Sequence, residues 1–141
     1  MKTLGKATVM MAIFALTSAM SLTAQIVNGL TFNAPSAFCA GNTKFPAGSY
    51  KITQSSVDEN TLLIESTDSK HSAYFDALPT QSASPHAKTE VTFHNYGGTD
   101  YLNQVWIQGQ TSGLQVDPTK AEKKAAAAGS SGDHSVAASK L

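Results

Sequence analysis

Between residues 30 and 116 the apolar side chains come in short runs interrupted by Gly, Pro, Asn and Asp, and no stretch sustains the 3.6-residue period of a helix. Residues 49–54 set Tyr50 and Ile52 on one face and Lys51 and Thr53 on the other, the alternation of a strand with one buried and one wet side. Residues 72–78 oppose Ala73, Phe75 and Ala77 to Tyr74, Asp76 and Leu78. Pro79, which has no N–H for a ladder, is expected to end that strand. In residues 88–96, Val91 and Phe93 share a face opposite Glu90, Thr92 and His94; Gly97-Gly98-Thr99-Asp100 turns the chain, and residues 101–108 return with Leu102, Val105, Trp106 and Ile107. Residues 61–65 form the most continuously apolar strand, and shorter apolar pieces lie at 30–32, 37–40 and 114–116. Pro46 and Gly48 suit a turn at Phe45-Pro46-Ala47-Gly48. About seven short strands at this spacing predict an all-β fold, either an antiparallel β-sandwich or a small β-barrel, between which the pattern does not choose.

The flanks differ from this body. Lys2 and Lys6 precede an uncharged stretch, residues 7–22, that contains the apolar run from Val9 to Leu16 and passes into Thr17, Ser18, Ala19, Ser21, Thr23 and Ala24. Basic, then apolar, then small is the order of a cleavable signal peptide. A membrane anchor needs roughly 20 apolar residues, and here hydroxyl side chains intervene early. The expected signal covers residues 1–24, with the cut after Ala24 and with Ala19 and Ser21 as alternative sites. The product is expected to be secreted or periplasmic. Cys39 lies too far past the apolar run to be a lipoprotein anchor. After the β domain, residues 25–117, composition shifts at Asp117-Pro118. Thr119 can cap a helix with Glu122 as its capping-box partner, so a short helix is expected over 118–128. Residues 129–141 are small and polar, and a disordered tail is expected there.

Charge narrows the partners. All ten basic residues are Lys, and loss of Lys2 and Lys6 would leave eight against ten Asp and Glu. A slightly acidic chain without Arg speaks against nucleic acid, whose phosphates are bound by clustered Lys and Arg. No stretch after the signal is apolar enough to span a bilayer. The single Cys39 cannot form an internal disulfide; it reads as a small buried residue or, alternatively, as half of an intermolecular disulfide.

Three places carry a shared pattern. Phe32-Asn33-Ala34-Pro35 leads into Phe38 and then Phe45-Pro46-Ala47-Gly48-Ser49-Tyr50-Lys51-Ile52; Val91-Thr92-Phe93-His94-Asn95-Tyr96-Gly97 precedes Tyr101-Leu102-Asn103-Gln104-Val105-Trp106; and Ala121-Glu122-Lys123 follows. On these motifs the chain resembles a family of small, uncharacterised secreted bacterial proteins of acidobacterial type. The match runs over most of the chain after the signal. Tyr101 followed directly by Leu102 departs from the family's more usual Tyr-Phe-Leu. The resemblance implies one exported β domain and assigns no activity.

Catalytic and metal signatures are weak. His71, His86, His94 and His134 are not paired at ligand spacing, and Cys39 has no companion thiol, so neither metal nor cofactor is expected. No G-x-S-x-G elbow or phosphate loop occurs, and Glu65, Asp76 and Glu90 show no pairing. Aromatics on the predicted 88–108 hairpin are the best candidates for ligand binding: Tyr96, Tyr101 and Trp106, with His94 beside them. Such rings stack flat ligands and mark interfaces; alternatively Trp106 and Phe93 anchor the core. The expected function is non-enzymatic binding or assembly at the cell envelope, with an envelope protein, a glycan or a second copy as partner. A small exported hydrolase near the His94–Tyr101 hairpin and a small-ligand carrier are the alternatives. If the signal is cleaved as expected, the exported chain begins at Gln25, which intact mass of the secreted protein checks. An uncleaved chain in the membrane fraction would contradict the assignment.

Overall fold

A computed structural model of the chain describes residues 29–129 and 131–141. The expected signal peptide lies outside the described residues. The elements are β1 (Leu30–Ala34), β2 (Phe38–Ala40), β3 (Thr43–Phe45), β4 (Gly48–Gln54), β5 (Thr61–Ser66), β6 (Ser72–Gln81), β7 (Glu90–Tyr96), β8 (Thr99–Trp106), β9 (Ser112–Val116), helix α1 (Lys120–Ala128) and β10 (Ser131–Lys140). Eight strands close a barrel in the order β8-β7-β10-β1-β4-β5-β6-β9 and back to β8, with every neighbouring pair antiparallel. The fold is therefore the barrel of the two predicted all-β architectures. β2 and β3 form a small hairpin outside the ring. β2 runs parallel to β8 at Asp100 and Tyr101, and β9 takes the other half of β8 from Gln104 onward.

The strand alternation translates directly into burial. Tyr50 and Ile52 of β4, Leu62 and Ile64 of β5, Phe75 and Ala77 of β6, and Val91 and Phe93 of β7 all point inward and are buried. On β8 both Leu102 and Val105 are buried although three positions apart, which simple alternation forbids. A bulge resolves this: Thr92 faces Gln104 and Phe93 faces Leu102, so Asn103 is the extra residue. At one end five rings meet. Phe38 lies 5.4 Å from Phe45, 5.1 Å from Tyr50, 5.5 Å from Phe93 and 6.0 Å from Phe32. The Tyr50 hydroxyl donates to the Pro46 carbonyl, which settles the one polar atom of the cluster.

Turns follow the local chemistry. Gly97 and Gly98 have φ of +60° and +83°, both positive as a two-residue type I′ hairpin requires, and they join Tyr96 to its partner Thr99. Asp100, just after this turn, is buried and fully engaged. It accepts from Asn95 Nδ2 at 2.7 Å and Ser36 Oγ at 3.0 Å, and His134 Nε2 stands 3.4 Å away. A buried carboxylate without such partners would be costly.

Three expectations are corrected. Residues 131–140 are not a disordered tail but β10, paired with β7 from Ser131↔Tyr96 to Ala137↔Glu90 and with β1 from Phe32↔Ala138 to Leu30↔Lys140. The composition argument missed it because both neighbours satisfy its main chain, so it needs almost no apolar side chains. The β domain thus extends past residue 117. Pro79 does not end β6, which continues to Gln81. The Ala77 N–H donates to Asn60 O on the β5 side, so the nitrogen of Pro79, two residues on, faces the same side beyond the start of β5, where no N–H is needed.

Trp106 is buried, yet not in the barrel interior. Its cross-strand partner is Gly113, while the adjacent pair Val105↔Leu114 fills the interior, so Trp106 lies on the outer wall. Its ring stacks on His86 at 4.0 Å and 15°, and Nε1 donates to Gln104 Oε1 at 3.0 Å. Gly113 makes room for it, since a Cβ there would stand 2.5 Å from the indole. Gly113→Ala is expected to lower stability by about 1–3 kcal/mol through overpacking. Gly132→Ala, where nothing lies within 4 Å, should cost far less. Urea unfolding of both variants measures the difference, and equal costs would refute the placement of the indole.

Candidate functional site

Inward packing of Phe75 and Ala77 forces Tyr74, Asp76 and Leu78 onto the outer wall of β6, where Tyr74 is 68% exposed. Two other segments approach this wall. The turn between β2 and β3 passes close to it at Gly41, whose φ is +58° and whose added Cβ would lie 3.1 Å from Phe75 Cβ; glycine suits both the angle and the approach. The chain leaving β9 is tied down where the Asp117 N–H donates to Asp76 O at 3.0 Å, and it then enters α1. The result is a groove of about 530 Å³ lined by Asn42, Thr43, Tyr74, Asp76, Asp117 and Lys120, among others. One exposed aromatic face, two carboxylates, an amide and a single ammonium surround it. Asp76 is steadied by Thr61 Oγ1 at 3.4 Å from its Oδ1.

A second group lies beneath α1. His94, Tyr96 and Tyr101 share the outer face of β7 and β8, with ring centroids 5.6 Å apart for His94–Tyr96 and 5.8 Å for Tyr96–Tyr101. Asp133 of β10 holds His94 Nδ1 at 2.5 Å. Cys39 is the Cα partner of Tyr101 across β2. Thr119 caps α1 as expected, its Oγ1 accepting from the Glu122 N–H at 3.2 Å. Glu122 is the only residue of α1 that is buried. Burial lifts its carboxyl above the ordinary 4.5, and nearby His94 opposes the rise. Burial also raises the Cys39 thiol; Lys44 opposes this and Glu122 adds to it. Desolvation raises Tyr101 as well, followed by the effects of Cys39 and Glu122.

Of the residues singled out from the sequence, the structure thus gathers His94, Tyr96 and Tyr101, sets half-buried Cys39 beside Tyr101, and leaves Trp106 at the far end of β8 under His86. Among the described residues no hydroxyl or thiol hydrogen-bonds His94, whose Nδ1 is taken by Asp133, and a thiol held protonated is a weak nucleophile. Among the described residues no three His, Cys, Asp or Glu side chains gather at metal-binding distance, and no helix is long and apolar enough to cross a membrane. The groove at Tyr74 was not anticipated from the sequence. Its signal was present all the same: Tyr74 and Leu78 fall on the face of β6 that carries Asp76, opposite the small and aromatic residues that fill the core. In comparisons with known proteins the chain matches no family model, no curated protein and no solved structure.

The buried Glu122 makes a pH prediction. A carboxyl with a raised folded pKa binds its proton more tightly in the native state, so it favours folding below about pH 4.5 and that contribution disappears as pH climbs through the raised value. Glu122→Gln, neutral throughout, is expected to be at least as stable as the native chain at neutral pH and to lose that margin toward pH 4.5. Thermal unfolding of both proteins from pH 4 to about pH 8 tests this; parallel curves would show a solvated carboxylate instead.

Proposed function

We propose that this chain is an exported, non-enzymatic module that binds a saccharide of the cell envelope in the groove beside Tyr74. The observation that carries the proposal is the pairing of a 68% exposed tyrosine ring with Asp76, Asp117 and Asn42 around about 530 Å³ of open volume. A pyranose ring presents a C–H face that packs on an aromatic ring and hydroxyls that donate to carboxylates or accept from an amide. Binding sites of this sort join an apolar platform to a few fixed polar groups.

Two further observations point outward from the barrel rather than into it. The core packs Tyr50, Phe38, Phe45, Phe93 and eight aliphatic side chains at under 2% exposure, which supports a ligand on the outer wall over one carried inside. Among the described residues His94 has a carboxylate partner and no hydroxyl or thiol bonded to it, which favours the binding reading over the hydrolytic one. Leu78, 55% exposed on the same wall as Tyr74, extends the platform along β6.

Titration of the chain with soluble chito- and cello-oligosaccharides, followed by backbone amide shifts, tests the proposal. Shifts are expected at Asn42, Tyr74, Asp76 and Asp117. Tyr74→Ala should weaken binding about tenfold, equivalent to about 1.4 kcal/mol, without unfolding the barrel, because the ring is outside the core. Absence of shifts at these positions with every saccharide at millimolar concentration would remove the proposal.

A further inference from the structure

Every buried hydrophobic side chain among the described residues lies between Leu30 and Val116. The arm that follows contributes contacts of another kind. Helix α1 buries Glu122 and no apolar side chain. In β10, Val136 and Ala138 are only partly buried against the core, and Gly132, Asp133, His134, Ser135, Ala137, Ser139 and Lys140 are exposed. Yet β10 is the strand that closes the barrel, filling the gap between β1 and β7. Its attachment is main-chain hydrogen bonding, the partial packing of Val136 and Ala138, and two side-chain pairs made by adjacent residues. Asp133 meets His94 on the outer face, and His134 meets Asp100 at 3.4 Å while stacking on Phe93 at 5.4 Å and 18°.

A strand held this way gives up little apolar burial of its own when it separates, since Val136 and Ala138 are only partly buried. Its departure leaves two open edges, β1 and β7, which recruit another strand. We infer that the arm formed by α1 and β10 exchanges between copies of this chain, so that β10 of one copy fills the gap between β1 and β7 of another. A second copy is the occupant because the gap selects more than an extended backbone. Only a strand with Asp and His at the register positions of His94 and Phe93 restores the pairs to His94 and Asp100, and this chain carries such a strand. Exchange of an identical element needs no new interface, since each contact of the closed monomer is remade between molecules. In the exchanged form the second copy also supplies Lys120, the first residue of α1, to the groove. The inference does not depend on what the groove binds.

Thr92 and Ser135 are Cα partners across β7 and β10 and provide the test. In a Cys39→Ala background, full chains carrying Thr92→Cys and Ser135→Cys are mixed at high concentration, oxidised and run on a non-reducing gel. A covalent heterodimer absent from either chain alone is expected. Mixtures that stay monomeric, while both cysteines in one chain form the internal disulfide, would overturn the inference. Native-state hydrogen exchange of the unaltered protein gives an independent readout and decides if the internal disulfide does not form. The β10 amides should exchange at least about tenfold faster than those of β4 and β5, as expected of a locally opening unit. Exchange of β10 at the rate of the core strands would also sink the inference.

Discussion

The meeting of Phe32, Phe38, Phe45, Tyr50 and Phe93 is the contact on which the rest of the fold depends. These rings come from the consecutive strands β1, β2, β3 and β4 and from β7, some 40 positions further along the chain, and all five are almost completely buried. A one-residue slip in any of those strands would turn its ring out to solvent, so the cluster sets five registers at once. Each such ring contributes about 1.5–3 kcal/mol by burial. The cluster also explains why the β2–β3 hairpin sits where it does. Three-residue strands such as β2 and β3 cannot hold a position through their ladders, but Phe38 and Phe45, 5.4 Å apart and nearly parallel, pin the hairpin to the end of the barrel. Pinned there, its Gly41 turn is brought against β6 and forms one wall of the groove.

The molecule therefore has two tiers of attachment. Strands β1 to β9 are joined by apolar side chains as well as by ladders. Helix α1 and β10 are joined mainly by polar contacts: a desolvated carboxylate, two histidine–carboxylate pairs and main-chain hydrogen bonds. Net gains from single hydrogen bonds are about 1 kcal/mol each, while exposed ion pairs add less. The second tier is thus the more polar one, and it is also the tier that covers Tyr96, Tyr101 and Cys39 and supplies one end of the groove.

Strands whose apolar faces alternate were legible in the sequence because alternation and burial are the same physical fact. Tyr50 and Ile52 against Lys51 and Thr53, or Phe75 against Tyr74 and Asp76, could hardly be read otherwise. The Gly97-Gly98 hairpin was legible for a separate reason, since two positive φ angles favour glycine. What escaped was whatever rests on non-local pairing. β10 has no apolar pattern to show because its stability comes from strands some 40 and 100 positions away. Pro79 looked like a stop because the sequence does not reveal that β5 begins too late to need its N–H. Trp106 looked like a companion of His94 because they lie on one hairpin, whereas the outer-wall position depends on the bulge at Asn103 and on the space over Gly113. The cluster of His94, Tyr96 and Tyr101 could be inferred, and so could a helix over 118–128, but not that this helix covers the cluster, because a helix whose only buried side chain is a glutamate carries no amphipathic signal.

The outer wall of the closed barrel is not uniform. The side formed by β7, β8 and β10 is occupied by α1 and by the loop that carries His86 over Trp106. On the β6 side, Tyr74 and Leu78 stand exposed without comparable cover. Exposed large apolar groups gathered on one face mark places where a surface meets other molecules, whereas ones scattered singly need no such account. Here they adjoin carboxylates and an amide rather than further apolar residues, which suits a polar ligand with one apolar face better than an apolar protein partner. The same arm that closes the barrel supplies Thr119 and Lys120 to that groove. On the proposed reading, a saccharide in the groove would touch the start of α1 as well as β6, so binding would favour the seated arm by linkage.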